Sequence, residues 1–434
     1  MPVAIETALD TAGTGPFQRR LLGIFGLVWA ADAMQVLAVG FTAPSIAATF
    51  GLSVPEALQT GTLFFLGMMI GAALFGRIAD RIGRRRVLLV TVACDGVFGL
   101  ASVFAPNFGL LLAARFLTGA AVGGTLPVDY AMMAEFLPSD RRGRWLVMLE
   151  AFWAVGTVVV ALAAWAAAST GLVDAWRYIF FATAVPALVG FWLRLMVPES
   201  PLYLLRKGRT DEARTVVDRM LVANGKAPLD APLAAGPAPE AVRLLSPALK
   251  RRTLLMLAVW FLVSLSYYGI FTWMPARLAG EGFGFVRGYG FLVIVALAQL
   301  PGYALAAWGV ERIGRKPTLI GFLILSAAGC ALFVVAGEAT LVATAILLMS
   351  FALLGTWGAL YAYTPELYPT AARASGMGAA GAMARLGGLL APSLLSLLIA
   401  RSFGAAVALF AVLLIAAAVA AALIDAETRQ RALD

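Results

Sequence analysis

Gly76-Arg77-Ile78-Ala79-Asp80-Arg81-Ile82-Gly83-Arg84-Arg85 lies between two long apolar runs, and Val310-Glu311-Arg312-Ile313-Gly314-Arg315 lies between two more. Shifting the chain by 231 residues superposes them: Asp80 meets Glu311, Arg81 meets Arg312, and Gly83-Arg84 meets Gly314-Arg315. The same shift brings Pro44 onto Pro275, Gly71 onto Gly302 and Gly124 onto Gly355. It also brings Glu135, Pro138 and Arg142 onto Glu366, Pro369 and Arg373. One offset that serves positions from the first to the fourth apolar run of each half marks a duplicated unit.

The apolar runs read as membrane spans. The 434 residues are 61% hydrophobic and only 13% charged, with a mean hydropathy of +0.88. A soluble domain carries about 25% charged residues. Soluble enzymes, nucleic-acid binders and disordered scaffolds are excluded on that ground. A bilayer core takes roughly 20 apolar residues per helix. Such runs fall at 21–47, 58–76, 87–104, 108–136, 145–169 and 176–197, then at 253–276, 287–308, 318–336, 341–364, 377–399 and 404–424. They are called spans 1 to 12 below. The first twenty residues are polar and lead into a long apolar run, so no cleavable signal peptide is expected.

Charge supplies the orientation. With the N-terminus inside, 27 of the 33 Lys and Arg fall on the inner side, and only Arg177, Arg277, Arg287 and Arg401 fall outside. By the positive-inside rule both termini are expected to be cytoplasmic, in a multi-pass protein of the plasma (inner) membrane. The net charge of +9 is then an orientation label, and no nucleic-acid partner is expected. The hydrophilic stretch 198–250 divides the chain into a first six-helix unit (1–197) and a second (251–434). Within it, Thr210 is placed to cap a helix whose first turn holds Asp211 and Glu212. Val216, Val217, Met220 and Leu221 give that helix one apolar face, directed at the underside of the bundle, and a Pro/Ala/Gly-rich linker (227–240) follows.

These motifs together resemble the major facilitator superfamily over essentially the whole chain. The resemblance implies an all-α membrane protein of twelve transmembrane helices in two pseudo-symmetric six-helix bundles. Gly76 to Arg85 is similar to the superfamily's signature loop between helices 2 and 3. Arg115-x-x-x-Gly119-x-x-x-Gly123 and Pro198-Glu199-Ser200-Pro201 resemble the sugar porters. Pro365-Glu366-Leu367-Tyr368-Pro369-Thr370 with Arg373 resembles the organic cation/anion transporters and synaptic vesicle glycoprotein 2 relatives. So do Asp32-Ala33-Met34 and Tyr267-Tyr268-Gly269…Trp273-x-Pro275. That branch includes bacterial niacin-transporter-like proteins. The resemblance assigns Asp80, Arg81, Arg84, Glu135 and Arg142, with Glu311, Arg312, Arg315, Glu366 and Arg373, to gating. An acid of the loop is expected to meet arginines across the interface between halves.

Away from the ends of the spans, six charged residues fall inside them: Asp32, Asp95, Arg115, Asp129, Glu150 and Arg385. Each costs roughly 2.5–3.5 kcal/mol or more at mid-membrane, so each needs a partner or a task. In proton-coupled sugar-porter relatives an acid in helix 1 and an arginine in helix 4 carry the coupling, and the matching positions are Asp32 and Arg115. A permanent structural salt bridge is the alternative. With no histidine in the chain, a proton site has to be a carboxylate, and Asp129 and Glu150 stand in reserve. Asp95 reads as polar packing. Arg385 stands without an acid in its own span, and its planar fork suits a carboxylate. In organic-anion relatives this helix carries an arginine for the substrate. The alternative is that Asp32 or Glu150 pairs Arg385 permanently.

Polar lining is scarce. Both asparagines, Asn107 and Asn224, fall at loops, and only Gln35 and Gln299 are glutamines within spans away from their ends. A sugar site needs many such partners, because an unpaired buried polar group costs about 1–3 kcal/mol. Aromatics are plentiful, and Trp153, Tyr267, Tyr268 and Trp357, with Gln35, are the expected lining. The reading is a secondary transporter, not an enzyme, that symports a small organic anion with a proton and acts as a monomer in the lipid bilayer. An aromatic monocarboxylate such as nicotinate is the expected cargo. Organic-cation or drug transport through Asp32, Asp129 or Glu150, sugar transport, and a sensor without transport stay open as rivals. No cofactor motif or metal cluster is present, and Cys94 and Cys330 belong to no redox motif.

Overall fold

A computed structural model describes residues 3–139, 142–234, 243–280 and 288–428. The side chains of Asp80 and Pro275, and residues Arg141 and Arg287, lie outside the described part, as do 235–242 of the linker. Among the described residues eleven helices are long and apolar enough to cross a membrane, and Thr370–Arg401 completes the twelve as span 11. The first half runs Pro16–Phe50, Gln59–Ile82, Arg84–Val103, Phe108–Ala134, then Arg142–Glu150 with Phe152–Ser169 as span 5, and Ala175–Arg194. The second runs Lys250–Gly280, Tyr289–Leu297 with Gln299–Arg312 as span 8, Arg315–Val335, Ala339–Glu366, Thr370–Arg401 and Phe403–Ala422.

The helix ends follow local chemistry. Span 1 starts five residues earlier than its hydropathy suggests, because Pro16 suits a first turn and Gln18 returns its Oε1 to the Gly15 N–H at 3.1 Å. Spans 2 and 8 end at Gly83 and Gly314, which take φ values of 108° and 124°. A side chain is strained at such angles, so the chain breaks at the same place in each half.

Within each half the packing repeats. Spans 2 and 4, 3 and 4, 3 and 6, and 1 with 5 and 6 pack in the first half; spans 9 and 10, 7 and 11, 9 and 12, and 8 and 10 pack in the second. Across the halves span 2 meets 11, span 5 meets 8, and span 1 meets 7. Outward faces expose Leu74, Val97, Trp165, Trp192, Trp308 and Val412, an apolar belt suited to lipid.

Spans 2 and 4 approach most closely, through two facing small-residue ridges. A Cβ at Gly67 would strike the backbone of Phe116, and one at Gly71 that of Ala120. Reciprocally, Gly119 sits on the backbone of Phe64 and Gly123 on that of Met68. Gly302, the repeat partner of Gly71, lies in the same way on Phe351. Such contact is how helices gain dispersion energy where lipid offers no hydrophobic drive.

The hydrophilic stretch holds the helices Pro201–Arg206 and Thr210–Ala223. The second buries Val216, Val217, Met220 and Leu221, as expected. Thr210 is not its cap: the helix starts at Thr210 itself, after Arg209, whose guanidinium pairs with Glu212 at 2.6 Å. Leu233–Ala234 of the linker forms a parallel pair with Val3–Ala4, and helix Ile5–Ala12 lies against Thr210–Ala223. Asn224 fastens this corner, donating from Nδ2 to Ala12 O at 3.1 Å and Gln18 Oε1 at 2.8 Å, and accepting from Phe17 N at 3.2 Å.

Replacing Gly71 by leucine is expected to lower the melting temperature of the purified protein by several degrees, since overpacking costs about 1–3 kcal/mol. Gly321→Ala, where a Cβ meets nothing within 4 Å, is expected to leave it unchanged or raised. Equal melting of the two variants would contradict the close-packed ridge.

Candidate substrate and gating sites

Two locks stand at the ends of the duplicated loops. Arg84 Nε reaches Glu135 at 3.1 Å in the first half, and Arg315 Nε reaches Glu366 at 2.9 Å in the second. Each carboxylate also accepts a hydroxyl, Ser200 on Glu135 and Thr428 on Glu366 at 2.6 Å. A second glutamate sits on each helix start: Glu199 accepts from Arg85 N at 3.1 Å, and Glu427 accepts from Arg315 N and Lys316 N, each at 3.0 Å. A carboxylate there satisfies the free N–H groups and complements the helix dipole. Glu427-Thr428 thus mirrors Glu199-Ser200. The duplication hid this, because the pair is offset by 228 residues and not 231.

The described locks join spans within a half. The expected bridge from a loop acid to arginines across the interface is not formed by Glu311, which is exposed and enters no ion pair among the described residues. Arg81 and Arg312 are also exposed. Arg142 and Arg373 do approach across the interface, as like charges. Among the described residues Arg142 donates to Leu137 O at 3.3 Å and Arg373 to Pro365 O at 3.1 Å, and Glu366 is the acid near Arg373.

The buried charges of the first half form two groups. Arg115 is fully buried between the rings of Phe64 and Phe180, each 4.6 Å from its guanidinium carbon. It donates to Gln35 Oε1 and Gln35 O, both at 2.8 Å, and its charged neighbour is Asp95. Asp32 is therefore not its partner, and Gln35 belongs to this arginine rather than to the aromatic lining. Asp95, expected as packing, is the acid that balances Arg115. The second group is Asp129 with Arg194, an ion pair roofed by Phe25 at 4.2 Å. Arg194 stands at the inner end of span 6 and counts by sequence among the inner-side basic residues, but its side chain is 1% exposed. At the last turn of span 6 it can turn inward, and the buried Asp129 draws it there. Among the described residues neither oxygen of Asp32 is hydrogen-bonded, and the cations that act on it are Arg194 and Arg385.

Aromatic side chains converge between the halves. Trp153 donates from Nε1 to Tyr267 OH at 3.0 Å, linking spans 5 and 7. Tyr268 stacks edge-on to Phe65 of span 2 at 4.7 Å. Trp357 meets Tyr267 at 5.8 Å, Trp260 at 5.4 Å and Tyr361 at 5.9 Å. Tyr361 in turn meets Tyr130 of the other half at 5.9 Å, and Tyr130 meets Trp29 at 6.1 Å. Four of the expected lining residues, Trp153, Tyr267, Tyr268 and Trp357, are thus brought together. Trp29, Tyr130, Trp260 and Tyr361 join them without having been singled out, since aromatic residues at helical spacing look alike in sequence whether they line or pack.

Arg385 borders this cluster. It donates one bond, from Nη1 to Gly381 O at 2.8 Å, and has Tyr361, Tyr268 and Asp32 as neighbours. Among the described residues its Nε is buried without a partner, as are Trp357 Nε1, Trp29 Nε1, Ser264 Oγ and Glu150 Oε1. Buried donors and acceptors of this kind call for an explanation, and a polar ligand is one.

Twelve spans in two mirrored halves, with matching locks and a polar, aromatic-lined centre, define a transporter of the major facilitator class. The family model described as "Sugar (and other) transporter" matches residues 19–434, and the chain belongs to that family, whose members are transporters and not enzymes. It is 36% identical to the niacin transporter NiaP of Acinetobacter baylyi over 99% of both chains. It is 36% identical to the putative niacin/nicotinamide transporter NiaP of Bacillus subtilis over 96% of this chain and 98% of that one. The synaptic vesicle 2-related protein of Xenopus laevis is 31% identical over 99% of this chain and 82% of its own. The fold matches the xylose transporter XylE from E. coli in a partially occluded inward-open conformation, with a TM-score of 0.78 at 19% identity over 96% of this chain and all of that one.

If each lock is one cooperative unit, Arg315→Ala and Glu366→Ala will each slow transport, and the double variant will be no worse than the poorer single. Additive losses in a double-mutant comparison would show that the two side chains act apart.

Proposed function

We propose that the protein transports a small organic anion, an aromatic monocarboxylate such as nicotinate, by alternating access. The observation that carries the reading is Arg385, a guanidinium with a buried, unpartnered Nε at the edge of the interfacial aromatic cluster. Whole-length similarity to niacin transporters supports it. Arg385 grips the carboxylate, while Trp153, Tyr267, Tyr268 and Trp357 hold the ring, at about 0.5–1.5 kcal/mol per good aromatic contact. Residues 1–197 and 251–434 rock as units about the substrate, and 198–250 joins them. The protein works as a monomer in the plasma (inner) membrane with both termini cytoplasmic.

Transport is symport with a proton, and Asp32 carries it. While ionised, Asp32 neutralises Arg385; once protonated, it leaves the guanidinium free for an anion. Proton and anion then bind together because each relieves the other's charge. Arg115, held by Gln35 and facing Asp95, keeps the first half in shape. Asp129 is committed to Arg194.

Arg385→Ala is expected to weaken nicotinate binding at least tenfold, since a hydrogen bond to a charged group is worth about 1.5–3 kcal/mol. A thermal-shift screen of small acids, amines and sugars tests the cargo class, and stabilisation by amines or sugars alone sinks the reading. In proteoliposomes an inward proton gradient should drive nicotinate accumulation. Asp32→Asn should abolish that drive while nicotinate exchange continues; gradient-driven uptake by the variant would remove Asp32 from the coupling.

A further inference from the structure

Glu150 has no task in the scheme above, yet it is among the most costly residues to bury. It ends the helix Arg142–Glu150, at the break before Phe152–Ser169 in span 5, and is 3% exposed. Its Oε1 has no hydrogen-bond partner among the described residues. The side chains of Tyr361 and Trp29 lie within hydrogen-bonding reach of its carboxyl, but Oε1 and Trp29 Nε1 each lack a well-aligned partner among the described residues. Tyr361 also borders Arg385, whose charged neighbour is Asp32 and not Glu150. The acid from the first half and the guanidinium from the second thus flank one tyrosine without pairing with each other. The tyrosine they share, Tyr361, lies with its ring 5.9 Å from both Tyr130 and Trp357, so flat aromatic faces adjoin it.

A ligand that completes both ends needs a carboxylate for Arg385, a flat body, and a proton-sharing atom for Glu150 at its other edge. Benzoate supplies the first two only. We infer that Glu150 is a specificity residue that reads a basic ring nitrogen, so that the site takes heteroaromatic acids of the pyridine-carboxylate class in preference to carbocyclic ones. One proton lies between the Glu150 carboxyl and the ring nitrogen, whichever atom it is drawn on. The inference rests on the aromatic-acid reading of the same site and goes beyond it in assigning the far end of the ligand.

The test is competition binding of nicotinate, benzoate and 1-methylnicotinate to the purified full-length protein. The wild type should bind nicotinate at least tenfold more tightly than benzoate. 1-Methylnicotinate, whose ring nitrogen can share no proton, should compete no better than benzoate. Glu150→Ala should lose at least tenfold in nicotinate affinity and hold benzoate within twofold. Equal weakening of both acids, or an undiminished preference for nicotinate, overturns the assignment. Tight binding of 1-methylnicotinate overturns it from the ligand side and needs no variant. If the wild type binds neither aromatic acid, the proposed function itself fails. If Arg385→Ala abolishes binding of both acids while Glu150→Ala spares the preference, only the role of Glu150 fails.

Discussion

A charge inside a bilayer has to be met by another charge, by a set of hydrogen bonds, or by a ligand, and this constraint organises the protein. Asp129 is met by Arg194, and Arg115 by Gln35, Asp95 and two phenylalanine faces. These arrangements lie within the first half and hold it as one body. Asp32, Glu150 and Arg385 are different: each has a neighbour in the other half, Asp32 with Arg385 and Glu150 with Tyr361. The division between charges met inside one half and charges that face the other therefore follows the division between the first-half scaffold and the surface where the halves meet.

The scaffold owes its rigidity to close backbone approach and to the doubled locks. Gly67, Gly71, Gly119 and Gly123 let spans 2 and 4 touch along their backbones. At one end, the glutamates on the starts of spans 3 and 9 fix those helices to the polar segments after spans 6 and 12. A helix pair gripped along its length and pinned at its end moves as a unit. The contacts that cross between halves are of another kind. They are rings and a few hydrogen bonds, such as Trp153 with Tyr267 and Tyr289 OH with Phe41 O at 3.3 Å. Contacts of this type are exchanged without leaving a buried charge stranded.

The fold was legible because it rests on hydropathy and on a repeat, both of which are one-dimensional. The pairs Arg84 with Glu135 and Arg315 with Glu366 were legible as a matched set for the same reason. What escaped was partner choice among buried side chains. Nothing along the chain distinguishes Asp95 from Asp32 as the neighbour of Arg115, since both are lone acids in apolar helices. Arg194 was hidden by its position at the end of a span, where an arginine is ordinarily solvated. Its inward turn depends on Asp129, two helices away in sequence. Glu427-Thr428 escaped because a three-residue slip near the end of the second half breaks an otherwise constant spacing.

The small parallel strand pair at the chain's beginning has a mechanical consequence. Val3–Ala4 with Leu233–Ala234 and the Asn224 hydrogen bonds staple much of the hydrophilic stretch to the first half. The covalent leash between the two halves is thereby shortened to residues 235–249, about 50 Å even at full extension. Opening that staple would lengthen the leash without touching any residue of the central site. In the proposed rocking of the halves, a fusion or tag placed ahead of Val3 would act on that leash.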